Sequence, residues 1–272
     1  MIIKIGQFDI TECWDGIFYK KLSRYPCITD WEIQTVLDFE RYERDNGREC
    51  PIEAEKGILR AIDDYRPVYE KGVRLSPPDR ITECTACPVY GGCMTDLVCH
   101  TAAPENAVKI LDCGRILSAV RARRLSAKEL RSEKRNAAND PEDYFDYVMF
   151  AWGNCQAGDR LVVERRLGRF PKVEDLAAGF VPGVRFFFKY RDLVRHPRAV
   201  FDGFLPVKVK NEVVLRDWVT AIVSPGIHRG LLEPHIPEGL RTRTFFLGSA
   251  GKDVWEWSRA AYEFARDVSE TK

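Results

Sequence analysis

The spacing of apolar residues in the first 80 positions predicts a short strand followed by two helices. The segment 29–32, Thr-Asp-Trp-Glu, has the Thr-x-x-Glu spacing of a capping box, so a helix is expected to begin there and to end near Gly47. Pro51 suits the first turn of a second helix that continues through Tyr65. The pattern therefore predicts a helical N-terminal domain over residues 1–80.

After residue 100 the pattern changes to helices alternating with apolar runs. Pro104 is expected to begin a helix that ends in a left-handed cap at Gly114, and Ser126 opens a second capping box before a basic helix to about Ala138. Strands are predicted at 145–152, 160–164, 183–190, 207–215, 219–223 and 242–247. An amphipathic helix is predicted at 253–268, packing on the sheet. Because the strands cluster late in the chain, we expect an α+β fold.

The predicted strand 207–215 alternates with a period of two. Its apolar set is Val207, Val209, Val213 and Leu215, and its polar set is Lys208, Lys210 and Glu212. The polar face, with Glu212 on it, is free to line a cleft or simply to meet solvent.

Composition assigns the chain to the soluble globular class, because 45% of its 272 residues are hydrophobic and 31% are charged. The N-terminus lacks the features of a secretory signal, and no run of about 18 apolar residues occurs. We therefore expect a cytoplasmic protein with no membrane partner. Nine cysteines, an odd number, suit a reducing compartment.

Charge is nearly balanced overall but unevenly distributed. The net charge is +1, yet residues 1–83 carry 13 Lys and Arg against 17 Asp and Glu, leaving 29 against 24 in the remainder. The two parts are thus −4 and +5. The densest basic run is 115–135, which fits either a solvated helix face or a site for phosphates or nucleic acid.

Four cysteines fall within sixteen residues of the segment 81–99. They are Cys84, Cys87, Cys93 and Cys99, in the spacing C-x2-C-x5-C-x5-C. Four thiolates so close in sequence can meet at one soft metal centre, either zinc or an iron-sulfur cluster. Only the first two form the short knuckle typical of structural zinc, and the proline and paired glycines between the cysteines also suit a cluster. The alternative is a set of unconnected core cysteines.

The sequence beginning at His100 resembles a signature of the ADP-ribosyltransferase superfamily. It matches His-x-[Ser/Thr]-x3-Asn-x3-Ile-Leu-x2-Gly, found in poly(ADP-ribose) polymerases and DarT-type DNA ADP-ribosyltransferases, at His100, Asn106 and the residues 110, 111 and 114. The resemblance implies that His100 hydrogen-bonds a ribose hydroxyl of NAD and that the backbone of Thr101 holds the nicotinamide amide. Ala102 departs from the pattern, because the family has a hydroxyl there.

Three further stretches match the same family in its order. Segment 143–152 resembles the DarT-type strand after a basic helix, which implies that Arg135, or less favourably Arg131, meets the NAD phosphates. Segment 183–188 is similar to a Gly-Ile-Tyr-Phe strand of the polymerases, with Phe186 in place of the stacking tyrosine. Segment 211–217 resembles the family's Asn-Glu-Tyr-Ile run, whose glutamate is catalytic. That residue is Glu212 here.

The resemblance implies a domain over residues 100–272 with the split β-sheet of an ADP-ribosyltransferase. It implies an enzyme that cleaves NAD, releases nicotinamide and transfers ADP-ribose to DNA or RNA, or else to protein. The alternative is a non-enzymatic module on the same fold that binds nucleic acid through the metal segment and the basic helix. A third possibility, removal of RNA 2-phosphates, requires more arginines matched to that family than are found.

Overall fold

The structure, a computed structural model, describes residues 1–8, 11–14, 17–75, 95–131 and 142–270. The predicted metal ligands Cys84, Cys87 and Cys93 and the predicted phosphate-binding Arg135 lie outside the described residues. Residues 76–94 separate the described chain into two parts. They are called the N-terminal part (residues 1–75) and the C-terminal part (residues 95–270).

The described residues of the N-terminal part combine one sheet with two helices. Its elements are β1 (Ile2–Gly6), β2 (Glu12–Trp14), β3 (Ile17–Lys21), α1 (Asp30–Asp45), β4 (Ile52–Glu53) and α2 (Lys56–Glu70). The sheet order is β2-β3-β1-β4, and β1 is parallel to both of its neighbours. The capping box at Thr29 and Glu32 is present and opens α1, as the sequence predicts.

Two predictions for this part are wrong. The N-terminal part is not simply helical, because its short strands form a four-stranded sheet whose inner residues, such as Ile3 and Phe18, are fully buried. The second helix begins at Lys56 and not at Pro51, since Ile52 pairs with Ile3 in the sheet. That pairing packs Ile52 against the apolar core of the N-terminal part, and this contact favours the strand over a helix that begins at Pro51.

The N-terminal part packs closely against the loop 201–204 of the C-terminal part. Phe204 joins the core around β1 and α1, and Phe201 stacks on Trp31 with ring centroids 5.8 Å apart. Gly203 has a φ of +77°, and a Cβ there would collide with the carbonyl oxygen of Thr35 in α1. Only glycine fits this close approach.

The C-terminal part is larger and contains the remaining elements. Its strands are β5 (Leu97–Ala102), β6 (Arg115–Leu117), β7 (Tyr147–Trp152), β8 (Val184–Lys189), β9 (Ala199–Val200), β10 (Val207–Lys210), β11 (Glu212–Val214), β12 (Val219–Pro225) and β13 (Thr244–Leu247). Its helices are α3 (Pro104–Cys113), α4 (Ala119–Arg123), α5 (Ala127–Arg131), α6 (Ala157–Leu167), α7 (Tyr190–Leu193), α8 (Leu215–Trp218), α9 (Arg229–Leu232) and α10 (Val254–Glu270).

A seven-stranded mixed sheet forms the centre of the C-terminal part, in the order β13-β12-β8-β5-β7-β10-β9. All neighbours are antiparallel except β12 and β13. Alternate residues of β5 and β8 enter two apolar clusters: Val98 and Phe186 pack with α3, while Cys99 and Phe187 pack with α6 and α10. Helices thus cover both faces of a mostly antiparallel sheet, in a mixed arrangement of helices and strands. None of the described helices has an apolar stretch long enough to cross a lipid bilayer.

Several local predictions for this part are confirmed. Helix α3 begins at Pro104 and ends at Gly114, whose φ is +67°. The capping box of Ser126 with Glu129 is present at the start of α5. Helix α10 covers the predicted range, and its Trp257 is fully buried against the sheet.

The predicted strand 160–164 is wrong, because these residues lie inside helix α6. Val162 and Val163 are both buried whereas Leu161 is 44% exposed, which is not the alternation of a strand. Asp159, in the first turn, is buried and accepts hydrogen bonds from Arg185 and from the backbone of Gly183. These tertiary contacts outweigh the strand preference of the two valines.

The predicted strand 207–215 is broken into β10 and β11. Asn211 separates them with a φ of +72°, and β11 leaves the large sheet to pair with β6. Lys208 and Glu212, predicted to share one exposed face, therefore lie in different sheets. Lys208 is fully buried beside Asp202, 3.2 Å away, and the ring of Tyr42 from the N-terminal part.

Candidate functional site

His100 lies on strand β5, near the centre of the large sheet. Strand β5 pairs with β8 over all six of its residues, from Leu97 to Ala102, but its described ladder with β7 covers only Val98 and Cys99. From His100 onward the two strands are no longer paired as a ladder. The ladder between β5 and β7 therefore ends before His100, toward the end of β5 that leads into α3.

The His100 side chain contacts the neighbouring strand β7 just beyond the end of this ladder. Its Nδ1 lies 3.0 Å from the carbonyl oxygen of Met149 in β7. A carbonyl can only accept, so Nδ1 donates the hydrogen and Nε2 is left as an acceptor in the neutral ring. Burial lowers the pKa of His100, and the bond to Met149 opposes that shift. The site thus offers one fixed, neutral imidazole whose Nε2 can accept a hydrogen bond and has no hydrogen-bond partner among the described residues.

The other predicted NAD-binding residues among those described are Phe186, Thr101 and Asn106, and they differ in their contacts and in their exposure to solvent. Phe186 lies directly opposite His100 in the ladder but is fully buried, so stacking on a ligand would require this part of the core to open. Thr101 packs against Gly158 of α6, where any added Cβ would collide with its side chain. Asn106 lies in the first turn of α3 and is exposed.

Glu212 owes its position to the turn at Asn211. The backbone N–H of Asn211 donates to the carbonyl of Asp146, and its own carbonyl accepts from the N–H of Ser118, at 2.8 and 2.7 Å. Asparagine tolerates the left-handed conformation better than most residues. The turn carries Glu212 out of the large sheet and places it opposite Leu117 of β6.

Two arginines hold the Glu212 carboxylate. One terminal nitrogen of Arg115 lies 3.2 and 3.3 Å from the two carboxylate oxygens, and one of Arg121 lies 3.0 Å from Oε2. Only 18% of the Glu212 side chain is exposed, against 44% and 46% for Arg115 and Arg121. A partly buried carboxylate thus lies beneath two accessible guanidinium groups.

His100 and Glu212 lie on opposite sides of β7. His100 meets Met149 across one edge, whereas the other edge pairs with β10, whose continuation carries Glu212. Among the described residues no hydrogen bond or ion pair joins the two side chains. One apolar cluster extends to both residues, since it contains Val98, two residues before His100 in β5, and Val213, which follows Glu212.

Cys99 is the one predicted metal ligand within the described residues, and it lies inside the apolar cluster beneath α10. Its thiol donates weakly to the Trp152 carbonyl, 3.7 Å away, and burial raises its pKa to about 11. A metal ligand must be a thiolate, which this apolar surrounding disfavours. The described residues contain no group of His, Cys, Asp and Glu side chains arranged to hold a metal ion.

The residues that sequence reasoning missed are Arg115 and Arg121 as partners of Glu212. Both belong to the basic run 115–135, so the charge signal was visible. Their pairing with Glu212 was not, because Arg115 lies 97 residues away along the chain, and local sequence patterns do not reveal contacts at that range.

Comparison with known proteins adds no family to this geometry. No protein family, no curated protein and no solved structure matches the chain.

Proposed function

We propose that the protein is an ADP-ribosyltransferase that cleaves NAD, releases nicotinamide and transfers ADP-ribose to a macromolecule. Nucleic acid, DNA or RNA, is the first acceptor class and protein the second. The observation that carries the proposal is the His100 side chain, whose Nδ1 is bonded to the Met149 carbonyl so that Nε2 can accept a hydrogen bond. The resemblance assigns to this position a histidine that hydrogen-bonds a ribose hydroxyl of NAD.

The role of His100 follows from its hydrogen bond. With Nδ1 committed to the Met149 carbonyl, Nε2 can accept from a hydroxyl group. A ribose hydroxyl of NAD is such a donor. The fixed ring then positions the dinucleotide without changing its own protonation, so it lowers the entropy cost of reaching the reactive geometry.

The role of Glu212 is electrostatic. Breaking the bond between ribose and nicotinamide builds positive charge on the sugar, as in glycoside cleavage, and a fixed carboxylate stabilises that charge and holds the 2-hydroxyl. Nicotinamide leaves as a neutral molecule, so this step needs no strong general acid. The acceptor then attacks the anomeric carbon, and Glu212 takes its proton. Neutralisation by Arg115 and Arg121 opposes this role, so the arginines must find another anion when the site is filled.

Nicotinamide release from NAD tests the proposal, with Glu212→Gln as the main variant. Glu238→Gln is the matched control. Glu238 also pairs with an arginine, Arg241, but its side chain is 91% exposed and it is not one of the predicted site residues. We expect Glu212→Gln to lower the release rate by about 100-fold or more, with Glu238→Gln unchanged. Equal rates in wild type and Glu212→Gln would remove Glu212 from the mechanism.

The alternative is a nucleic-acid-binding module that has the fold without the activity. Two observations favour it: the Glu212 carboxylate is neutralised by arginines, and Phe186 is buried. Such a module would give no nicotinamide and no thermal stabilisation by NAD, yet would bind oligonucleotides with a steep salt dependence. Stabilisation by NAD together with nicotinamide release contradicts it.

A further inference from the structure

Arg115 and Arg121 converge on one point although they come from different elements. Arg115 begins β6, and Arg121 lies in α4, which follows it. In the β6–β11 ladder Leu117 is opposite Glu212 and Arg115 is opposite Val214, so Arg115 and Glu212 are diagonal neighbours on one face. Two positive charges thus meet a single negative charge, which leaves an excess of one positive charge.

The guanidinium groups retain binding capacity. Each uses one terminal nitrogen on Glu212, and in the described part of the chain neither contacts a second carboxylate. Their side chains are 44% and 46% exposed. The remaining N–H groups of the two forks are therefore accessible to an anion from solvent.

The surrounding charge favours a phosphate over other anions. Segment 115–128 holds five cations and no acidic residue: Arg115, Arg121, Arg123, Arg124 and Lys128. Arginine forks match the oxygens of a phosphate in two-point hydrogen bonds, and the two phosphates of NAD, or two successive phosphates of a nucleic acid, together carry two negative charges against the single charge of the carboxylate. One phosphate can thus replace Glu212 on both arginines, while the adjacent phosphate brings a second negative charge to the other cations of this segment.

We propose that Arg115 and Arg121 form a phosphate-binding pair that Glu212 occupies when no phosphate is bound. A phosphate that takes the two arginines releases the Glu212 carboxylate. The binding site stands on the contacts alone, whereas the benefit of releasing Glu212 for catalysis rests on the proposed function. The phosphate comes from one of two sources, the diphosphate of NAD or the backbone of a nucleic-acid acceptor.

Direct binding to the full chain tests this pair with two probes, ADP-ribose and a short single-stranded oligonucleotide. Arg115→Gln and Arg121→Gln should each weaken binding of the responding probe by about tenfold, the worth of one charge-assisted hydrogen bond. Glu212→Gln should tighten binding, because it removes the competing carboxylate. Arg241→Gln and Glu238→Gln, which alter an exposed ion pair elsewhere, should change neither affinity.

The pattern of affinities decides the outcome. A response to ADP-ribose assigns the pair to the dinucleotide, and a response to the oligonucleotide assigns it to the acceptor strand. Arg115 and Arg121 variants that bind both probes like Arg241→Gln, or a Glu212→Gln variant that binds no tighter than Glu238→Gln, overturn the proposal. Should one arginine variant fail to fold, the other and Glu212→Gln retain the test.

Failure of this pair and failure of the proposed function are distinguishable. Wild-type protein that releases no nicotinamide but gives the predicted affinity pattern removes the enzyme assignment and leaves the phosphate site in place. Normal nicotinamide release without the affinity pattern removes the phosphate site alone.

Discussion

Two of the arginine–carboxylate groups in the C-terminal part have opposite surroundings. Arg185 and Asp159 are both fully buried, with the Arg185 Nε 2.8 Å from Asp159 and its Nη1 3.1 Å from the Gly153 carbonyl. Glu212, in contrast, meets two arginines that are nearly half exposed. The buried group joins β8 to α6 and to the turn before it. The exposed group joins β11 to β6 and α4.

The difference separates a structural ion pair from an exchangeable one. Buried charges lose their water on folding, so each depends on its partner, and removing one partner leaves an uncompensated charge. Exposed charges exchange partners with solvent ions at little cost. For this reason we expect the Glu212 group to bind a ligand and the Arg185–Asp159 pair to stabilise the fold.

The largest expected effect is on stability, from Arg185→Met. The variant leaves Asp159 buried without its cation, so the free energy of unfolding should fall by about 3–5 kcal/mol. Urea unfolding followed by circular dichroism measures this. Arg241→Gln, in an exposed pair, is the control and should stay within about 0.5 kcal/mol of wild type. An Arg185→Met variant as stable as that control would show that the buried pair is not the structural element.

The reactivities of Cys99 and Cys113 should differ, because Cys99 lies in the buried region near Arg185 and Cys113 lies in the exposed region near Arg115. Cys99 is buried near Arg185, and its raised pKa of about 11 keeps the thiol protonated, whereas Cys113 is exposed and lies 3.1 Å from the carbonyl oxygen of Arg115. Native protein treated with iodoacetamide should be modified at Cys113 at least about a hundredfold faster than at Cys99. Peptide mass spectrometry gives both rates. Rapid modification of Cys99 would mean that the buried region opens readily.

The turn at Asn211 should show an intermediate effect. Its φ of +72° is costly for alanine and free for glycine, so Asn211→Ala should lower the free energy of unfolding by about 1 kcal/mol while Asn211→Gly should not. Urea unfolding of both variants checks this. Identical stabilities would indicate that the left-handed turn before Glu212 is not retained in solution.

The smallest expected effect is the contribution that the ion pairs of Glu212 with Arg115 and Arg121 make to the free energy of unfolding. Glu212→Gln and Arg121→Gln should each change the free energy of unfolding by less than about 1 kcal/mol, and the difference should shrink in high salt. The same urea experiment at two salt concentrations measures it. A loss of unfolding free energy as large as that of Arg185→Met would show that Glu212 stabilises the fold and that the two groups do not differ in role.

Local signals predicted the elements that local contacts determine. The capping boxes at Thr29 and Ser126 and the cap at Gly114 lie where the sequence puts them, because each depends on residues within one helical turn. The apolar period also identified α10 and its buried face. These features account for most of the correctly predicted helices.

Long-range contacts decided what the sequence did not predict. Segment 160–164 is helical because Asp159 binds Arg185, 26 residues away, and Lys208 is buried because the N-terminal part covers it. A period of two separates the faces of a strand but does not say what covers each face. The same limit applies to the candidate site, where His100 and Glu212 were identified by resemblance and the arginines on Glu212 were not.

Mass spectrometry of nucleic acid and protein after incubation with the protein and NAD tests the central claim most directly. The account predicts an added ADP-ribose on one acceptor class with wild-type protein and with Glu238→Gln, and its loss with Glu212→Gln. Acceptors of both classes that remain unmodified by folded, NAD-supplied wild-type protein would contradict it.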